Sequence, residues 1–90
     1  MESERSDEYY VARLIGRLRL LLATSDEVPV ETKLETQPML RELEDALADP
    51  PEDRDLDRAR SRYDFLCERL EDEPDLNALL LALRNFVPGL

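Results

Sequence analysis

The chain has 90 residues, enough for one domain and too few for two. Hydrophobic residues make up 42%, so a single folded domain over residues 1–90 is expected rather than a disordered chain. The formal net charge of −10 disfavours direct binding to nucleic acid and to anionic membranes, because both are negatively charged. Leucine is abundant and there are only 2 glycines, which favours helices over strands.

The first predicted helix runs from about Asp7 to Ser25, and residues 1–7 before it are expected to be disordered. Ser6 or Asp7 is the predicted N-cap. Apolar side chains follow the i, i+3, i+4, i+7 spacing of one helix face. These side chains are Val11, Leu14, Ile15, Leu18, Leu21 and Leu22.

The opposite face of this helix carries Tyr9, Gly16 and Leu20. Glycine costs a helix about 1 kcal/mol relative to alanine, and close approach of a second helix would offset that cost. Two interpretations follow. Either the first helix is buried on both sides, or its second face meets a partner.

Residues 26–37 give a weaker pattern and are predicted to form a turn. A fifth short helix, with Val30 and Leu34 facing inward, is the alternative. Proline fits the first turn of a helix but not its interior, so the second helix is predicted from Pro38 to Ala48. Its apolar face is Met39, Leu40, Leu43, Ala46 and Leu47.

A third helix is predicted to open at Asp53 or Asp55 and to reach about Asp72. Acidic residues in its first turn suit the positive end of the helix dipole. Its apolar stripe is Leu56, Ala59, Tyr63, Leu66, Cys67 and Leu70. Phe65 lies off this stripe.

A fourth helix is predicted to be capped by Asp75 and to reach about Phe86. Its stripe is Leu76, Leu79, Leu80, Leu83, Phe86 and Val87, and Leu81 lies off it. Amphipathic helices joined by short loops that contain proline predict an all-α fold. The predicted architecture is a compact bundle of four short amphipathic helices, with a fifth as the alternative.

Several residues and motifs that commonly carry enzymatic chemistry are missing from the sequence. There is no histidine, which removes the most common general base and zinc ligand. The 2 glycines are far apart, so no glycine-rich phosphate loop exists. The lone cysteine, Cys67, falls on a predicted core stripe, where a reactive thiolate is disfavoured. We therefore expect no enzymatic activity and no cofactor.

One acidic pattern resembles the start of a calcium-binding loop. Asp53, Asp55 and Asp57 alternate, and Asp64 falls at the twelfth position. The sixth position, which requires glycine in such loops, is Arg58. The simpler interpretation is an acidic, capped helix start, so no metal site is expected.

A protein-protein interaction module, serving as an adaptor, regulatory or assembly subunit, is the function that these features favour. Its candidate partner-binding residues are the apolar or small residues left outside the stripes: Tyr9, Gly16, Leu20, Phe65 and Leu81. The expected partner is another protein with a basic face, or a second copy of this chain. The alternative is an acidic inhibitor or nucleic-acid mimic that occupies a basic groove of its target.

A cytoplasmic location is expected. The first residues are acidic and lack the apolar stretch of a signal peptide. No apolar run is long enough to cross a bilayer. A single cysteine also precludes an intrachain disulfide of the kind found in secreted scaffolds.

Overall fold

Four α-helices account for most of the chain in a computed structural model, which describes residues 2–49, 51–87 and 89–90. They are α1 (Glu2–Thr24), α2 (Val30–Ala48), α3 (Leu56–Arg69) and α4 (Pro74–Phe86), with a 3-10 turn at Pro51–Asp53. For residues 2–8 and 51 the backbone alone is described. No strand occurs within the described ranges. The predicted all-α bundle of four helices is confirmed.

α3 packs antiparallel to α2, and α4 packs antiparallel to α1, because Tyr10 in the first half of α1 lies beside Phe86 at the end of α4. On α3, Arg62 reaches Glu42 at 2.7 Å, and the later residue Arg69 reaches the earlier residue Glu35 on α2 at 3.2 Å. The most extensive contacts join α2 to α3 and α1 to α4. Because α1 also contacts α2 and α3 contacts α4, the four helices surround one core.

The core consists of apolar side chains from every helix. Burial of each large aliphatic side chain contributes about 1.5–3 kcal/mol. The stripes predicted for the first, third and fourth helices supply most of it. Leu56 at the start of α3 is 38% exposed and lies outside the core, so its predicted place on the stripe is wrong. The core residues include Val11, Ile15, Leu18, Leu22, Leu40, Leu43, Leu47, Ala59, Tyr63, Leu66, Leu70, Leu76, Leu80, Leu83 and Val87.

The start of the second helix differs from the prediction. α2 begins at Val30 and contains Pro38 in its interior, so the prediction of a helix beginning at Pro38 is wrong. Proline lacks an N–H and so cannot bond to the carbonyl four residues earlier, which belongs to Leu34. Both residues are exposed, and water can therefore satisfy that carbonyl in place of the missing bond.

Because α2 is longer than predicted, two apolar side chains in its first half face solvent instead of the core. Val30 and Leu34 are 69% and 68% exposed, so the prediction that they face inward is wrong. On a continuous helix, Thr36 lies one turn before Leu40 and shares the buried face with Leu40 and Leu43. The Thr36 hydroxyl is fully buried and donates a 2.7 Å hydrogen bond to the Thr32 carbonyl. Residues 30–37 therefore belong to α2 and do not form a separate fifth helix.

Helix ends agree only in part with the prediction. The α1 backbone is helical from Glu2 rather than from about Asp7, and the cap proposed at Ser6 or Asp7 lies outside the described side chains. At α3, Asp55 rather than Asp53 is the N-cap, so one of the two predicted alternatives is confirmed, and its carboxylate accepts the Arg58 N–H at 3.1 Å. α3 ends at Arg69, three residues before the predicted end.

The start of α4 also corrects the prediction. Pro74 occupies the first turn, where its missing N–H costs nothing, and Glu73 is at the cap position without a capping side-chain bond. Asp75 lies inside the first turn and is not the cap. Among the described residues, no helix combines the length and the apolar character that crossing a membrane requires.

Candidate interaction surfaces

Three of the five predicted contact residues share one face of α1. Tyr9 and Leu20 are 55% and 63% exposed on the side of α1 opposite the core, and Gly16 lies between them on the same side. Arg13 also lies on this face, with its guanidinium carbon 5.6 Å from the centre of the Tyr9 ring. The outer face of α1 thus carries an aromatic residue, an arginine and a leucine in contact with solvent.

Gly16 is not the site of a close helix contact. A Cβ atom added to it would meet nothing within 4 Å. The interpretation that another helix packs closely on this side, burying α1 on both faces, is therefore wrong. Nothing in the structure explains why glycine occupies this position.

Phe65 and Leu81 do not join the outer face of α1. Phe65 is half-buried on α3, where the Arg69 guanidinium lies 4.9 Å above its ring. Since Arg69 also pairs with Glu35, Phe65 belongs to the α2–α3 side of the bundle. Leu81 is exposed on the outer side of α4, opposite the buried Leu80 and Leu83.

The aromatic surface contains two further residues, Tyr10 and Phe86, which the helical pattern does not single out as contact residues. Tyr10 lies 5.6 Å from Tyr9 and 5.5 Å from Phe86, measured between ring centres. We call Tyr9, Tyr10 and Phe86 the aromatic cluster. It joins α1 to α4, and both tyrosines are exposed. The adjacent tyrosines were a signal in the sequence, but Phe86 was assigned to the core stripe.

A groove of about 350 Å³ lies on the other flank of α1, against the C-terminal half of α2. Buried core residues form its floor, two exposed alanines form its walls, and charged residues form its rim. We call it the α1–α2 groove. Its lining residues are Val11, Ala12, Ile15, Glu44, Leu47, Ala48, Asp49 and Arg54.

Comparison of the chain with protein-family models, curated proteins and solved structures finds no match. Its function is therefore inferred from the surfaces described above and from the chemistry of its own side chains.

The acidic start of α3 is used for capping. The Asp55 carboxylate caps the helix, and Asp64 lies nine residues further along, which is roughly 13 Å of helix rise. These two carboxylates cannot share one cation across that distance. Among the described residues, no group of three His, Cys, Asp or Glu side chains could hold a metal ion.

Ion pairs link neighbouring helices across the surface. Glu42 accepts a 2.7 Å hydrogen bond from Arg62 and lies 3.8 Å from Arg58, and the Arg62 hydrogen bond lowers the pKa of Glu42. A further pair joins Arg19 to Glu44 at 3.3 Å. The arginines are therefore interleaved with the carboxylates, so part of the acidic charge is compensated locally.

A buried polar contact joins α3 to α4. The Tyr63 hydroxyl donates a 2.6 Å hydrogen bond to the Leu80 carbonyl in the core. Burial raises the pKa of Tyr63 and, on the same side of α3, the pKa of the half-buried Cys67 thiol. Both groups are therefore held in their protonated forms, which suits structural roles and opposes a nucleophilic one for Cys67.

Replacing Tyr63 with phenylalanine is expected to lower the free energy of unfolding by about 0.5–1.5 kcal/mol at neutral pH, because the hydrogen bond is lost. It should also change the response to alkali. In the folded chain Tyr63 keeps its proton, whereas in the unfolded chain the same tyrosine ionises above about pH 10. The stabilisation that Tyr63 provides is therefore complete below that pH and is lost as pH rises.

Urea unfolding followed by circular dichroism between about pH 8 and about pH 11 tests this expectation. The wild-type chain should lose more stability over that interval than Tyr63→Phe. An exposed side chain that does not ionise provides the control, and Leu81→Ala should keep the wild-type slope. Equal slopes for wild type and Tyr63→Phe would contradict the assignment.

Proposed function

We propose that this chain is a non-enzymatic protein-interaction module, an adaptor, regulatory or assembly subunit, that binds another protein through its helix surfaces in the cytoplasm. The observation that supports this proposal most directly is the aromatic cluster with its adjacent Arg13. Tyrosine and arginine are the residue types enriched at the energetic centres of protein interfaces. Here they are exposed together on one side of the bundle.

The exposed tyrosines are also preorganised for binding. Tyr10 packs between the rings of Tyr9 and Phe86, and Arg13 holds Tyr9 from the other side through a 3.3 Å hydrogen bond to its hydroxyl. Side chains that are already ordered lose less conformational entropy when a partner covers them. The cluster therefore provides apolar area at a low entropic cost.

The distribution of arginine favours this function over that of an acidic inhibitor or nucleic-acid mimic. A mimic of nucleic acid presents carboxylates on a face cleared of positive charge. In this chain Glu35, Glu42 and Glu44 each pair with an arginine from a neighbouring helix. Partner recognition that combines apolar contact with charge fits this surface better than recognition by negative charge alone.

A site-resolved crosslinking experiment tests the proposal. The photoreactive residue p-benzoylphenylalanine replaces Tyr10, or replaces Phe65 as the matched aromatic control on the α2–α3 side. After illumination in an extract of the source organism, position 10 should give a discrete protein adduct and position 65 should not. Truncation of a hot-spot residue costs about 2 kcal/mol, so Tyr9→Ala should weaken adduct formation about 30-fold.

Two outcomes would count against the proposal. Equal labelling from both positions would indicate nonspecific contact, and the absence of any adduct at position 10 would remove the cluster as a binding site. An adduct with twice the mass of the chain would identify a second copy as the partner, which light scattering at several concentrations would verify.

A further inference from the structure

The α1–α2 groove has an apolar floor and an open top. Val11, Ile15 and Leu47 are buried core residues whose edges line the groove, while Ala12 and Ala48 on its two walls are exposed. Its volume of about 350 Å³ is at the small end of the range of about 300–1,000 Å³ typical of ligand pockets. A space of this size suits one large apolar side chain rather than a whole helix.

One side of this groove belongs to an acidic segment of the chain, in which Glu44, Asp49 and Arg54 are the charged residues that line the groove. Residues 44–55, which run from the C-terminal turns of α2 to the start of α3, contain six carboxylates and one arginine. Asp45, Asp49 and Asp53 are all exposed. The last turn of α2 contains no basic residue, so the negative end of its dipole adds to this field.

The two arginines nearest the groove are already engaged. Arg54 donates a 3.0 Å hydrogen bond to the backbone carbonyl of Asp49, and Arg19 pairs with Glu44. Within residues 44–55 the six carboxylates outnumber these two cations, so this segment attracts positive charge to one side of the apolar opening. A second copy of this chain is a poor occupant, because each copy carries a net charge of −10.

We propose that the α1–α2 groove holds a single aliphatic or aromatic anchor side chain of a partner protein segment whose flanking residues are lysine and arginine. This inference rests on the proposed interaction function and assigns the chemistry of the partner. The anchor occupies the apolar floor between Ala12 and Ala48, and the flanking cations lie over the rim. Electrostatic attraction accelerates association, and the buried anchor slows dissociation.

Three synthetic peptides of equal length test the assignment. The first carries one leucine anchor flanked by lysine and arginine, the second carries the same anchor flanked by glutamate, and the third is basic with serine in place of the leucine. Each is titrated into the isotopically labelled chain, and binding is mapped by backbone amide shifts. We expect the first peptide alone to shift amides of residues 11–15 and 44–49.

Two matched variants separate the groove from the rest of α1. Ala12→Phe fills the groove from an exposed position, whereas Ala23→Phe places the same ring on an exposed position outside it. Ala12→Phe should weaken binding of the basic leucine peptide at least about tenfold, and Ala23→Phe should leave it unchanged. Ala48→Phe on the opposite wall should repeat the Ala12→Phe result.

Ionic strength distinguishes the electrostatic contribution to binding from the contribution of the apolar anchor. Raising ionic strength from about 50 mM to about 500 mM should weaken binding of the basic leucine peptide without abolishing it. The inference is overturned if the glutamate peptide binds equally well, if Ala12→Phe binds like wild type, or if no peptide binds. Shifts confined to Tyr9, Tyr10 and Phe86 would also overturn it, but the proposed interaction function would stand.

Discussion

Replacing Leu66 with alanine is expected to lower the free energy of unfolding by about 2–5 kcal/mol. Leu66 is 1% exposed in the centre of α3 and belongs to the core that all four helices share. Truncation removes buried methyl groups and leaves a cavity that the surrounding helices fill only in part. Leu18 in α1 is equally buried, and Leu18→Ala should have an effect of the same size.

The consequence is large because the domain is small. Domains of this kind have a total stability of about 5–15 kcal/mol, so one core truncation removes a substantial fraction of it. Thermal and urea unfolding followed by circular dichroism measures the loss. Leu81→Ala is the matched control, because Leu81 is exposed and its loss should change stability by no more than about 0.5 kcal/mol. An unchanged unfolding curve for Leu66→Ala would remove this residue from the core.

Helical periodicity was sufficient to predict α1, α3 and α4. The predicted stripes of these helices agree with the buried faces because a period near 3.6 places such residues on one side. Local capping chemistry also limited the start of α3 to Asp53 or Asp55, and the structure shows the cap at Asp55. These features depend on residues that are close in the sequence, so the sequence alone was enough.

The first half of α2 could not be predicted in this way. A local rule places proline in the first turn of a helix, and Val30 and Leu34 are large apolar residues that usually face a core. In the fold, packing of Leu40 and Leu43 against the other helices determines which face of α2 is buried. Val30 and Leu34 lie on the opposite face and are exposed to solvent. Tertiary packing overrides both local preferences.

The candidate surfaces depend even more on tertiary structure. The helical period alone places Tyr9 and Leu20 on the face of the first helix opposite its apolar stripe. The contact between Tyr10 and Phe86 requires α4 to run antiparallel to α1, and no local pattern specifies that pairing. The α1–α2 groove likewise exists only because α2 crosses the first half of α1 near Leu47.

The position of Pro38 leads to the second prediction with a large effect. Pro38→Ala is expected to raise the free energy of unfolding by about 1–3 kcal/mol. Alanine restores the backbone N–H that can bond to the Leu34 carbonyl, and it removes the clash between the proline ring and that carbonyl. Since residue 38 lies on the exposed face of α2, no core packing is lost in exchange. Urea unfolding of the variant beside wild type measures the gain.

The neighbouring exposed residue provides the control. Gln37→Ala changes a surface side chain without altering backbone hydrogen bonding and should shift stability by no more than about 0.5 kcal/mol. If Pro38→Ala gains no stability while the control is also neutral, residue 38 does not lie inside a continuous helix. The chain would then begin its second helix at Pro38, as the local rule for proline suggests. A gain specific to Pro38→Ala therefore tests the helix that places Val30 and Leu34 in solvent.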